Sequence, residues 1–200
     1  MKHEEISQKY AKWIIEYQSI NFKEAIYFVW ITDMSGEENL DQMLLSEKNK
    51  ILTNESPRQL LNHIENSKHE FTDSKNLNKW LEESLSCKEL SFTVYNFKDL
   101  QENQSLKVLN NNNLSEIVNL INIFEDYLYQ IQDDNLAFRK ENSSLNQVWE
   151  FYYNEILFKK LEQKHDIENH KAYPNSDTLK KEYNNLIMEF ESKFETTTNE

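Results

Sequence analysis

The chain of 200 residues contains one glycine, one cysteine and two prolines, and only Arg58 and Arg139 among its cations are arginines. Each scarcity removes a class of chemistry. A P-loop and a dinucleotide-binding turn need several glycines, because the backbone must turn tightly and approach a phosphate closely, and Gly36 alone builds neither. The same scarcity excludes a Gly-x-Ser-x-Gly nucleophile elbow. Cys87 alone makes no disulfide framework, no Cys-x-x-Cys pair and no cysteine zinc cluster. Two arginines leave little scope for bidentate recognition of phosphate. No apolar run approaches membrane-spanning length, and Met1-Lys2-His3-Glu4-Glu5 lacks the apolar core of a secretory signal. The expected compartment is a reducing cytoplasm, with no cofactor called for.

What is abundant is negative charge. The formal net charge is -13, with about -5 over residues 1–100 and about -8 over 101–200, so neither half offers a basic face. Such a chain repels nucleic acid and anionic membrane and favours basic proteins or cations. Hydrophobic residues make up 38% and mean hydropathy is -0.83, but aromatics at 12% supply large buried areas per side chain. Apolar residues recur at regular periods along most of the chain, which marks it as folded.

Ile6, Tyr10, Trp13, Ile14 and Tyr17 fall at 3–4 spacing and predict a helix. Ala25 to Thr32 is β-branched and aromatic throughout, the pattern of a central strand covered on both faces. Asp33 to Asn39 is the loop after it. Met43-Leu44-Leu45 and Ile51-Leu52-Thr53 flank a turn and predict a hairpin. Ser56-Pro57-Arg58-Gln59 is a helix start with a serine cap and proline at the first helical position. A second helix from Ser74 carries Leu77, Trp80, Leu81 and Leu85, and Leu90 to Tyr95 alternates as a strand.

The second half reads as helical. Asn110 to Asn113 is expected to be a linker or exposed loop. Leu114, Ile117, Val118, Ile121, Phe124, Leu128 and Ile131 trace one apolar stripe. Ser144 with Gln147 has capping-box spacing before Leu145, Val148, Trp149, Tyr152, Ile156 and Leu161. Pro174 and Ser176 introduce a last helix running through Phe190 and Phe194, with a tail after Glu195 expected to fray. The expected fold is α+β and helix-dominated, with a sheet of about four strands in the N-terminal half. Residues 1–109 form the α/β portion and 110–200 the helical portion, packed as one domain.

Glu162-x-x-His165, followed by Asp166, Glu168 and His170, has the spacing of a carboxylate-bridged metal site, but such sites need two such motifs and two further glutamates. The expectation is a solvated helix end and no metal. His63 and His69 read as a helix-surface and a loop histidine. The acid pairs Glu37-Glu38, Glu82-Glu83, Glu125-Asp126 and Asp133-Asp134 read as solvated faces rather than a glycosidase dyad, which needs a fixed separation inside a cleft. Trp13, Trp80 and Trp149 sit on predicted buried stripes, and Trp30 closes the first strand, expected in the core.

The whole chain, through its size, acidity and lack of catalytic motifs, resembles the immunity proteins of bacterial toxin–immunity systems, of the polymorphic-toxin or contact-dependent-inhibition type. The resemblance also rests on Asp41-Gln42-Met43-Leu44-Leu45, Lys50-Ile51-Leu52-Thr53 and Ser56-Pro57-Arg58-Gln59. It implies a non-enzymatic protein whose partner is a cognate, basic protein toxin, with carboxylates covering the place where the toxin would hold a substrate phosphate. The alternatives are a hydrolase or transferase with a site built from scattered residues, and a helical regulatory scaffold. Two acidic places fit partner contact. One is the loop of Asp33, Met34, Glu37, Glu38 and Asp41, favoured because it follows a rigid strand. The other is the helix face of Glu125, Asp126, Asp133 and Asp134.

Overall fold

A computed structural model of the chain describes residues 2–34, 40–66, 74–103, 107–134, 137–162 and 173–197. The fold is α+β and forms two compact units, one of Met1–Asn96 with Lys193–Glu200 and one of Phe97–Ser192.

Unit 1 opens with α1 (His3–Tyr10), which ends at Ala11 in the left-handed conformation, φ 52°. That turn redirects the chain into β1 (Lys12–Gln18). The single helix expected from Ile6 to Tyr17 is therefore a helix and a strand. Trp13, Ile14 and Tyr17 belong to the strand, whose two buried faces leave no alternation to read. β2 (Ile26–Thr32) pairs antiparallel with β1, β3 (Asp41–Met43) pairs antiparallel with β2, and β5 (Thr93–Asn96) lies parallel to β1, giving the order β3-β2-β1-β5. One face buries Ile14, Val29 and Ile31 with Ile6, Tyr10, Leu60, Leu61, Ile64, Leu77, Trp80 and Leu81 of the unit's helices, α2 (Pro57–Asn66) and α3 (Ser74–Ser86) among them. Tyr17 and Phe28 make ring contacts with Phe194, and Tyr17 also with Phe22. Trp13 and Trp30 are a half-buried cross-strand pair, rings 6.0 Å apart, and of the four tryptophans Trp80 is the fully buried one.

The turn between Leu45 and Ile51 closes as expected, through an antiparallel bridge and Asn49 at φ 57°. Its second arm, β4 (Ile51–Thr53), instead pairs parallel with β8 (Phe194–Thr196). Phe194, expected in the last helix, and Thr196, expected in a fraying tail, are thus in a strand, and Thr197 is buried on Thr53 and Asn54. Ser56 Oγ accepts from the Gln59 N–H as a cap, while the Ser56 N–H donates to Asn54 Oδ1. Arg58 bonds the carbonyls of Leu85 (3.1 Å), Cys87 and Lys88 (3.0 Å), so its guanidinium closes the C-terminal end of α3.

Unit 2 holds α4 (Lys98–Glu102), β6 (Val108–Leu109), the 20-residue α5 (Asn111–Gln130), α6 (Ser144–Tyr152), a π-helical turn (Tyr153–Leu157), α7 (Phe158–Glu162), β7 (Tyr173–Pro174) and α8 (Asp177–Glu191). β6 and β7 pair antiparallel. Asn110 to Asn113, expected as a linker, is the cap and first turn of α5. Asn110 Oδ1 accepts from the Asn113 N–H and Asn113 Oδ1 from the Asn110 N–H, a reciprocal box made by two asparagines. The cap of α6 is Ser143, one residue before the expected Ser144, and Ser176 caps α8.

Two outcomes follow for unit 1. Replacing Arg58 with alanine leaves three carbonyls without their charged donor and lowers stability by about 2–3 kcal/mol, read by urea denaturation. Ala11→Gly removes the left-handed penalty and raises stability by about 1 kcal/mol in the same measurement.

Candidate functional site

α5 buries Leu114, Ile117, Val118, Leu120, Ile121, Ile123, Phe124, Tyr127 and Leu128. The opposite side of its last turns therefore carries Glu125, Asp126 and Tyr129, neighbours at three- and four-residue spacing. Tyr129 is 66% exposed. The helix ends where Gln132 turns left-handed, φ 56°, and the Asp133 N–H reaches back to the Leu128 carbonyl at 2.9 Å. Asp133 and Asp134 thus follow at the negative pole of the helix, and the last turn holds no basic residue. Burial, and then the Asp133 charge, raise the pKa of Tyr127.

Beside this face, Arg139 lies 3.4 Å from Glu125 and 3.8 Å over the ring of Trp149. The Trp149 indole N–H donates to Asn122 Oδ1 at 2.9 Å, and Asn122 Nδ2 donates to the Tyr153 hydroxyl at 3.1 Å. Trp149 and Tyr153 are 4.3 Å apart, and Tyr153 continues to Tyr152 and Phe158. From Trp149 to Lys159 no residue is buried, and Phe158 and Leu161 are 48% and 70% exposed. Trp149, Tyr152, Ile156 and Leu161 were expected as a core stripe, and the structure corrects this. They form a ladder of aromatic and aliphatic side chains in which Trp149, Tyr152 and Ile156 are half-buried and Leu161 is exposed, broken by a π-turn of the kind found at functional sites. The missed signal is that apolar residues surround this helix on all sides instead of keeping to one stripe.

In the loop after β2, Asp33 is buried and its N–H donates to the Leu40 carbonyl at 2.8 Å. Met34 is 53% exposed, and Asp41, half-buried, accepts from the Thr32 hydroxyl at 2.6 Å. Glu37 and Glu38 lie outside the described residues, as do His69, His165, Asp166, Glu168 and His170. The structure gathers Glu125, Asp126, Asp133 and Asp134 at one end of α5. The described loop residues put Asp33 inside.

A second cluster bears on catalysis. The Glu116 carboxyl is pushed up to about 7 by burial first and the Asp99 charge second, against a hydrogen bond from Asn113. Glu116 Oε2 and the buried Tyr183 hydroxyl have no partner among the described residues. The cavity that Tyr183 lines measures about 10 Å³, room for one water rather than a substrate. Among the described residues no group of three or more histidine, cysteine or acidic side chains could hold a metal, and no described helix is long and apolar enough to cross a membrane.

No family model and no curated protein matches this sequence. Among solved structures, the chain is similar to the SatS C-terminal domain, described in complex with bromine, with a TM-score of 0.65 and 12% identity, covering 98% of this chain and 100% of that one. At that identity the likeness concerns the fold.

The two units should respond to pH in opposite senses. Glu116 binds its proton more tightly folded than unfolded. The stability this gives is full below about 4.5, the ordinary glutamate value, and is lost as pH rises through about 7. His3 is the reverse, its pKa lowered by burial first, so it resists protonation and unit 1 loses stability as pH falls below 6.5. Amide exchange in α5 should quicken from pH 5 to pH 8 after correction for the intrinsic rate, and Glu116→Gln should flatten that trend.

Proposed function

We propose that the protein is a non-enzymatic binding protein that neutralises a cognate basic protein toxin by covering its active site. The observation that supports this best is the end of α5, where Glu125 and Asp126 share a face with the exposed Tyr129 and Asp133 and Asp134 follow at the helix C-terminus. An acid in that position opposes the helix dipole by about 0.3–1 kcal/mol. An arrangement that weakens its own helix makes physical sense if a cation settles there in the complex. The aromatic anchor inside an acidic rim matches the make-up of binding hot spots, and the neighbouring ladder from Trp149 to Leu161 extends the apolar contact. The loop of Met34, Glu37, Glu38 and Asp41 is the second contact in this reading. The same reading puts the protein in the cytoplasm of the cell it protects, away from nucleic acid and anionic membrane, both repelled by the net charge of -13.

The test is affinity capture from the native host with mass spectrometry of what binds, followed by co-expression of this chain with the toxic domain of the captured protein. The protein should restore growth and bind that domain with an association rate that falls steeply with salt. Asp126→Lys and Asp134→Lys together should slow association by about 10- to 100-fold at low salt and far less at high salt. Tyr129→Ala should speed dissociation by about tenfold, the cost of losing one anchor. Circular dichroism should be unchanged in both variants. Loss of salt dependence in the wild-type protein, or growth not restored, would sink this reading. Unchanged association in the α5 variant would shift the contact to the loop.

A further inference from the structure

Unit 1 contains an open groove of about 610 Å³ between α2, the turn after Leu45, and β8. Because α2 buries Leu60, Leu61 and Ile64, its residues Gln59, Asn62, His63 and Asn66 fall on the opposite stripe and line one wall. All four side chains can form hydrogen bonds, and none carries a fixed charge. On the other wall Glu195 accepts from Ser46 Oγ at 2.6 Å and pairs with Lys48 at 3.1 Å. Those bonds, the hydroxyl's first, hold the Glu195 carboxyl below the usual glutamate range. Lys48, the lysine of the described lining, is thus neutralised within the wall.

This lining selects by what it offers. A phosphate meets no arginine among the described lining residues, and the lysine there, Lys48, is already paired with Glu195. A sugar ring meets one imidazole, His63, and no tyrosine, tryptophan or phenylalanine among the same residues. A primary amide, by contrast, carries donors and an acceptor together, the complement of a peptide unit. Asn62 and Asn66 are one helical turn apart, a rise of about 6 Å. The two-residue repeat of an extended chain is about 6.5 Å, so successive asparagines can meet every second peptide unit. Asn66 Nδ2 rests at present on the Asn62 carbonyl, 2.8 Å away, a local bond on an exposed surface that an incoming acceptor can replace. We propose that this groove binds an extended, uncharged polypeptide segment through its main chain, gripped by the side-chain amides of Asn62 and Asn66.

The experiment uses the full chain on an array of random, charge-free peptides. Retention of a subset is expected, and the tightest of them is resynthesised with alternate backbone nitrogens methylated. Methylation should weaken binding at least about tenfold, the loss of one to two hydrogen bonds. The double variant Asn62→Leu, Asn66→Leu should do the same, and Glu65→Gln, an exposed position of α2 outside the groove lining, should change nothing. Backbone methylation leaves the protein untouched, so it decides the matter even if the double variant misfolds. No peptide retained, or binding indifferent to methylation, overturns the proposal, as would retention of a glycan panel in place of the peptides.

Discussion

On one side of the β1–β2 pair Lys12 faces Ile31, Ile14 faces Val29 and Glu16 faces Tyr27. On the other Trp13 meets Trp30, Ile15 meets Phe28 and Tyr17 meets Ile26. A slip of one residue would turn one strand over against the other, sending Ile14 or Val29 away from the helices and the neighbouring tryptophan of that strand into them. The register also decides the fate of Lys12, which is fully buried with its ammonium on the Tyr10 carbonyl at 3.0 Å. Everything else in unit 1 is attached to this pair. β3 extends it from β2 and β5 from β1, while Tyr27 exchanges two backbone hydrogen bonds with Asn54, at 2.8 and 3.0 Å. Asn54 in turn holds Thr197 through its amide. The position of β8, and with it one wall of the polar groove, is therefore tied to the β1–β2 pair through Asn54, beside the ladder to β4 and the ring contacts of Phe194 with Tyr17 and Phe28.

Much of this could be read from residue order, and the misses share causes. The β2 run was legible because a β-branched, aromatic stretch has few other homes. α2 was legible because Ser56 and Pro57 punctuate its start, and α5 because its apolar stripe is long. β1 was hidden because a strand buried on both faces has no alternation, and Ile6, Tyr10, Trp13, Ile14 and Tyr17 happen to fit a helical period across it. The break between the two elements is a left-handed alanine, which no glycine announces. β8 was hidden because its partner β4 is far away in sequence, and three residues of parallel pairing carry no local signature. Of the acidic sites, the α5 face was legible as adjacent acids. What could not be read was their coincidence with a helix terminus and an exposed tyrosine, which depends on where the helix stops. That stop is set by a left-handed glutamine, again without glycine.

Charge gives the two units a common logic. Both arginines of the chain are engaged by its own structure: Arg58 at the end of α3, and Arg139 between Glu125 and Trp149. An arginine held by three carbonyls, or stacked on an indole, is not presented as a free fork to an incoming anion. Lysine supplies the remaining cations, and several are paired at the surface, Lys9 with Glu83 and Lys48 with Glu195 among them. The excess of 35 acids over 22 bases is therefore carried outward. Such a surface attracts a basic partner at long range, but long-range attraction does not choose an orientation. Orientation needs short-range features that differ from their surroundings, and Tyr129 among the α5 acids is one. Arg139 adds to it. By pairing with Glu125 and covering Trp149 it fixes the side chains at the margin of the acidic face, and on the proposed function less side-chain freedom would be lost on binding.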